Sequence, residues 1–184
     1  MGGTFDRVDD RLGSEGEMPC LYTVYKMFRS NFSLFGCGLS RVRGFAIHSA
    51  MRFQCQPGCI RCCDQKGFVY VTPEDIARLA GHLKISQAEF KRRYLCGTAP
   101  LLRFRKPRDK QCPFLLSNGC SVHEIKPLQC RAFPYWPELL EKASERKEAA
   151  KYCPGMNHGP LVNITMAREV ADEMLSAFPS LYEE

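Results

Sequence analysis

The residues best suited to chemistry in this chain are its eleven cysteines, in 184 residues. Free cysteines usually behave as small buried hydrophobes and scatter, because each is placed by its own packing. Here Cys55, Cys59, Cys62 and Cys63 crowd into one loop with Pro57 and Gly58. The spacing is Cys55-x3-Cys59-x2-Cys62-Cys63, and a more dispersed group follows at Cys112, Cys120, Cys130 and Cys153. Several thiolates converging on one ion or cluster need a tight turn, which Pro57 and Gly58 supply, and Cys-x2-Cys is a common chelate spacing. Cys62 and Cys63 are adjacent, so their side chains diverge unless the backbone bends sharply. They can serve two centres, or one can be a ligand and the other a core thiol.

The cysteine count is odd, and the N-terminal stretch is acidic and polar where an export signal would be basic and then apolar. A complete disulfide framework is therefore disfavoured, and a reducing, cytoplasmic setting is expected. Cys20, Cys37 and Cys96 fall outside the two groups and are expected to be plain thiols. The chain holds no long uninterrupted apolar run, so no membrane span is expected.

Several elements must position these thiols. Thr72-Pro73-Glu74-Asp75 reads as a helix start: a capping threonine, proline at the first helical position and two acids in the first turn. Ile76, Leu79, Ala80 and Leu83 continue it at helical spacing. Ser86 opens a second helix carrying Phe90, Tyr94 and Leu95, and Glu89 completes a capping-box pattern. A short strand is expected from Gly67 to Val71 and another over Leu102–Arg105. Residues 112–123 read as a hairpin turning at Asn118-Gly119. Pro127 opens a short helix bearing Cys130 and Arg131. Residues 137 to about 151 are helical and charged. Thr165 is expected to cap a last helix with Met166, Val170, Met174, Leu175 and Phe178 on its apolar side. Residues 1–50 show no clean period and read as a weakly structured extension. The expected class is α+β: a small irregular cysteine-cluster domain over residues 51–184, with short strands, a hairpin and about five helices around a metal site.

Three stretches, FQCQPGCIRCCDQKGFVYVTPEDIARLA, CPFLLSNGCSVHEIKPLQCRAFPYWP and YCPGMNHG, together resemble the CxxCxxCC (YkgJ-like) cysteine-cluster family over about residues 52–160. The resemblance rests on eight cysteines in order with their flanks. It implies a domain that chelates zinc or iron, with Cys55, Cys59, Cys62, Cys63, Cys112, Cys120, Cys130 and Cys153 as ligands. The first spacing here is x3 where the family name has x2, and His123 and Lys126 stand where tyrosine and arginine are expected. Relatives of the family include the flagellin lysine N-methylases, which use an iron–sulfur cluster and S-adenosylmethionine.

All eight candidate ligands are sulfur, and Cys112-Pro113 and Cys153-Pro154 echo the Cys-Pro of ferredoxin-type runs. Both features favour an iron–sulfur cluster, of the 4Fe-4S type, over zinc. Either centre leaves residual negative charge, and Arg61, Lys66 and Arg131 lie beside the ligands in sequence. His123 reads as a satisfied strand histidine, and His158, His48 and His82 as unrelated to metal. Residues 51–110 carry a net charge of +8, concentrated in Lys91, Arg92, Arg93, Arg103, Arg105, Lys106, Arg108 and Lys110. That run reads first as a solvated face and second as a surface for an anionic partner. Phe133, Tyr135 and Trp136 read as core or lid packing over the metal site.

The expected function is that of a metal-binding protein with one or two all-cysteine centres and a redox or accessory role, partnered by an unidentified protein or substrate. Two alternatives stand beside it. One is an enzyme of the flagellin-methylase kind, although no S-adenosylmethionine motif is visible. The other is a zinc module binding nucleic acid through the 91–110 face.

Overall fold

The computed structural model describes residues 51–108 and 111–182. The expectations for residues 1–50, including Cys20, Cys37 and His48, lie outside the described residues. The described chain divides into two compact units, one of residues 63–128 and one of residues 51–62 with 129–182.

In the 63–128 unit, α1 (Pro73–His82) starts where the residues indicate. The Thr72 hydroxyl accepts the Asp75 N–H at 3.1 Å, and the Asp75 carboxylate accepts the Thr72 N–H at 3.1 Å. That reciprocal pair satisfies two of the donors a helix start leaves open. α2 (Gln87–Tyr94) is capped by Ser86, whose hydroxyl accepts the Glu89 N–H. Glu89 spends its own carboxylate on Arg93 rather than on the cap. Leu95, expected in the helix, leaves it and enters β2 (Leu95–Cys96), which pairs antiparallel with β3 (Arg103–Phe104). Residues 67–71 do not form a full strand. They hold one bridge, Tyr70 to Arg103, flanked by two backbone hydrogen bonds to residues 102 and 104.

The hairpin is present as β4 (Leu115–Leu116) and β5 (Gly119–Cys120). Its turn is centred one residue earlier than expected: Gly119 pairs with Leu116, leaving Ser117 and Asn118 as the loop. A 3-10 turn over His123–Ile125 follows. His123 therefore lies outside any strand, with its side chain 57% exposed, which corrects the strand-histidine reading.

The core of this unit combines Ile76, Leu79 and Ala80 from α1, Phe90 and Tyr94 from α2, Phe104 and Phe114. Phe114 is its hub, with ring centroids 5.0 Å from Tyr94 and 5.1 Å from Phe104. Such offset and edge contacts add to the burial energy.

In the other unit, β1 (Arg52–Phe53) pairs antiparallel with β6 (Met156–Leu161), with an irregularity in register between its two residues. Neither strand is evident from local pattern, because β6 is mostly exposed and lacks alternation. The charged stretch is two helices, α4 (Pro137–Glu141) and α5 (Ala143–Tyr152), broken at Lys142, which is extended. Arg146 supports the break by donating to the carbonyls of Leu139 and Leu140 at 2.9 and 3.0 Å, acceptors that the end of α4 leaves open.

The long helix α6 (Ile164–Ala177) is capped by Asn163, whose side-chain oxygen accepts the N–H groups of Thr165 and Met166, so Thr165 is not the cap. Its buried stripe is Ala167, Ala171 and Met174, continued by Phe178; Met166 is exposed. Small alanines let α6 approach Leu140 closely, which the expected larger side chains would prevent. A short α7 (Pro179–Tyr182) follows. Helices with short two-stranded sheets make the architecture α+β.

Candidate metal centre

α3 (Leu128–Ala132) carries Cys130 and Arg131, as Pro127 implies. Its first N–H, from Leu128, is held by both oxygens of the buried Asp75 carboxylate at 3.1 Å. Asp75 also pairs with Arg78 at 2.6 Å, and Arg78 reaches the Lys126 carbonyl at 3.2 Å. One aspartate thus closes the cap of α1 and anchors the start of the cysteine-bearing α3. Sequence reading identified Asp75 as a first-turn acid and missed this second task, because 53 residues separate it from Leu128.

The N-terminal edge of the cysteine loop is tied down in a comparable way. Gln54 donates its N–H to the Gly155 carbonyl at 3.1 Å, which brings the backbone next to Cys55 against the Cys153-Pro154-Gly155 turn. A Cβ at Gly155 would collide with the Gln54 carbonyl, so this approach requires glycine.

None of the eight candidate ligands is in a disulfide. Cys55 and Cys62 are exposed, Cys112 and Cys153 are buried, and Cys59, Cys63, Cys120 and Cys130 are half-buried. Cys96, expected as a plain thiol, is instead disulfide-bonded.

The thiols sort by unit. Within the 63–128 unit, Cys63 hydrogen-bonds to Cys120. That bond is the largest influence lowering the Cys120 thiol to about 6; burial opposes it, while the Val122 backbone and the charges of His123 and Lys126 assist it. Cys112 lies two residues before the hub Phe114 in the same unit and is buried in its core. Within the other unit, Cys153 is pushed up by burial, with the backbone around Gly155 and Met156 opposing and the charges of Cys62 and Cys59 adding to the rise. Tyr152 senses the same thiols and is pushed up to about 12, chiefly by burial and then by Cys153 and Cys62. Phe133 packs against Trp136, Phe53 and Tyr152 in the cluster that contains Cys153, which agrees with a packing role for the aromatic segment.

Of the adjacent pair, Cys63 thus bonds to Cys120, and the charge of Cys62 acts on Cys153. Among the described residues no three Cys, His, Asp or Glu side chains converge tightly enough to form a ready-made metal cage. What is present is an all-sulfur donor set, free of disulfides, in which Cys63 bonds to Cys120 and the charges of Cys59 and Cys62 act on Cys153. Its chemistry suits a soft or borderline metal, because thiolates bind zinc and iron–sulfur clusters strongly. Among the described residues no helix is long and apolar enough to cross a membrane.

The chain is similar to two proteins of Methanocaldococcus jannaschii. Uncharacterized protein MJ0661 is 34% identical over 79 residues, 42% of this chain and 42% of that protein. Uncharacterized protein MJ0939 is 26% identical over 133 residues, 67% of this chain and 42% of that protein. The chain thus spans well under half the length of each of these curated relatives. No solved structure matches it. Residues 54–154, just over half of the chain, match the family CxxCxxCC, described as "Putative zinc- or iron-chelating domain". With its cysteine loop, hairpin and Cys-Pro-Gly turn in the order its residues indicate, the chain belongs to the CxxCxxCC family of metal-chelating domains.

Proposed function

We propose that the chain binds metal at two all-cysteine centres and serves a redox or accessory role, with iron–sulfur favoured over zinc. Cys63, Cys112 and Cys120 would contribute to one centre. Cys55, Cys59, Cys62, Cys130 and Cys153 would contribute to the other. The observation that supports this reading is that Cys63 bonds to Cys120 in one unit while the charge of Cys62 acts on Cys153 in the other. A bound cluster would supply electron transfer; zinc would supply cross-linking of loops. The chain's own residues hold the thiol-bearing segments in reach: Asp75 at the start of α3, and Gly155 beside Gln54. Metal binding is then coupled to folding, since ligand convergence ties together loops that lack extensive secondary structure.

The test is metal and acid-labile sulfide analysis on protein purified without oxygen, with an absorbance spectrum. Iron with matching sulfide and absorbance near about 400 nm, from thiolate-to-iron charge transfer, supports the cluster reading. Zinc without sulfide supports structural cross-linking. Absence of both metals from protein reconstituted with either overturns the proposal.

A further inference from the structure

The ribbon made by residues 68–71 and β3 has two chemically different faces. Tyr70 lies opposite Arg103, the Val71 N–H donates to Leu102, and the Phe104 N–H donates to Val69. Side chains alternate along extended backbone. Val71 and Phe104 are buried in the core, and Val69 and Leu102 pack against it. Phe68, Tyr70, Arg103 and Arg105 fall on the opposite, outward face.

Phe68 is 37% exposed, a large aromatic left at the surface. The Arg103 guanidinium lies 4.1 Å from its ring centroid and the Lys106 ammonium 4.8 Å from it. Two cations are therefore gathered on one aromatic ring. Among the described residues no carboxylate pairs with either of them. Arg103 Nε is buried without a hydrogen-bond acceptor, and Lys106 Nζ donates to the neutral Gln111 Oε1 at 2.9 Å. Burial and then the charge of Arg103 lower the Lys106 pKa, the direction expected for cations that repel one another. Lys91, Arg92 and Arg108 add exposed positive charge on the same unit.

We propose that this outward face binds single-stranded nucleic acid, with Arg103 and Lys106 swinging from the Phe68 ring onto backbone phosphates and the ring so uncovered taking a base. Positive charge alone would suit any polyanion. Aromatic rings interleaved with cations on a strand face suit a ligand that has both phosphates and unstacked base planes. A duplex keeps its bases stacked away from such a ring, and the acidic side chains of a peptide carry no aromatic plane to stack on it.

The experiment uses the full chain with its metal and a fluorescein-labelled oligothymidylate of about 12 nucleotides, within single-strand site sizes. Anisotropy is followed across a salt series. Binding that weakens steeply with salt is expected. The double variant Arg103→Gln with Lys106→Gln should shallow the salt slope by about 1.4, the release expected for two single-strand phosphates. Phe68→Leu should weaken binding about fivefold or more, the low end of base-stacking effects. Ultraviolet cross-linking of the unaltered protein is a second readout that needs no variant, and its adduct should map to Phe68 or Tyr70. Absence of binding overturns the proposal. So does equal affinity for polyglutamate or duplex with no effect of Phe68→Leu, which would make the face a general polyanion or acidic-protein surface. A cross-link confined to another segment overturns it as well.

Discussion

The Asp75 carboxylate receives the Leu128 N–H on both of its oxygens at 3.1 Å, and so joins the start of α1 to the start of α3. Asp75 is 1% exposed and accepts from the backbone N–H groups of Thr72 and Leu128, so few other side chains can replace it. Its partner Arg78 is 41% exposed, and that ion pair contributes less, being screened by water. Asp75→Ala should destabilise the domain by about 2–4 kcal/mol, since it leaves buried N–H groups without acceptors. Asp75→Asn should cost less, because it keeps one acceptor. Chemical denaturation of the metal-loaded protein measures both, and an alanine variant as stable as the parent would remove the tether from the account.

Gly155 is a steric requirement. Its added methyl would meet the Gln54 carbonyl, which is backbone and cannot rotate away. Gly155→Ala should destabilise by about 1–3 kcal/mol, in the range of overpacked sites. It should also loosen metal retention, because the same contact seats the cysteine loop beside Cys153. A thermal melt together with a chelator-competition assay checks both effects.

Cys62→Ser and Cys63→Ser separate one centre from two. If the adjacent thiols serve different centres, each variant should keep about half of the metal, and the double variant should keep almost none. Loss of all metal from either single variant points to one shared centre. Native mass spectrometry reads the stoichiometry directly.

The cap of α6 gives a comparison between neighbours. Asn163→Ala should cost about 1 kcal/mol, the usual loss for a capping side chain, whereas Thr165→Ala should be close to neutral. Equal effects in a denaturation experiment would reassign the cap.

Glu138 provides a pH test. Its carboxyl pKa is raised, chiefly by burial; a hydrogen bond from its own backbone opposes the rise, Glu145 and Glu141 add to it, and Lys142 opposes it. The folded state thus holds this proton more tightly than the unfolded chain. Its favourable contribution is present below the ordinary carboxylate pKa and is lost as pH rises through the raised value. Glu138→Gln should therefore stabilise the protein at neutral pH, and the gain should fade as pH falls through the carboxylate range. Tyr182 hydrogen-bonds to Glu138, and glutamine retains an oxygen to accept that bond. Paired melts at pH 7 and at acidic pH decide it; a difference independent of pH would assign the effect to packing.

Local features were legible because local chemistry carries them. The Thr72 cap, the Ser86 cap, the hairpin and the short helix after Pro127 each depend on residues within a few positions of one another. Where two nearby candidates competed, the sequence pointed to the wrong one. Thr165 and Asn163 are both competent caps, and the choice follows from where α6 packs its alanines. Leu95 continues the apolar pattern of α2 but is drawn into β2 by pairing with Phe104.

By itself the sequence determined which atoms are available: an all-sulfur donor set with its Pro-Gly turn, and helices whose ends are marked by their own caps. Those properties reside in residue identity and short spacing. Only the tertiary structure decided which thiol faces which, that Asp75 reaches Leu128, that β1 meets β6, and that Phe68 lies beside Arg103 and Lys106. Those relationships join segments tens of residues apart. They depend on how whole cores pack and on which strand finds which partner, and no short-range spacing encodes that choice.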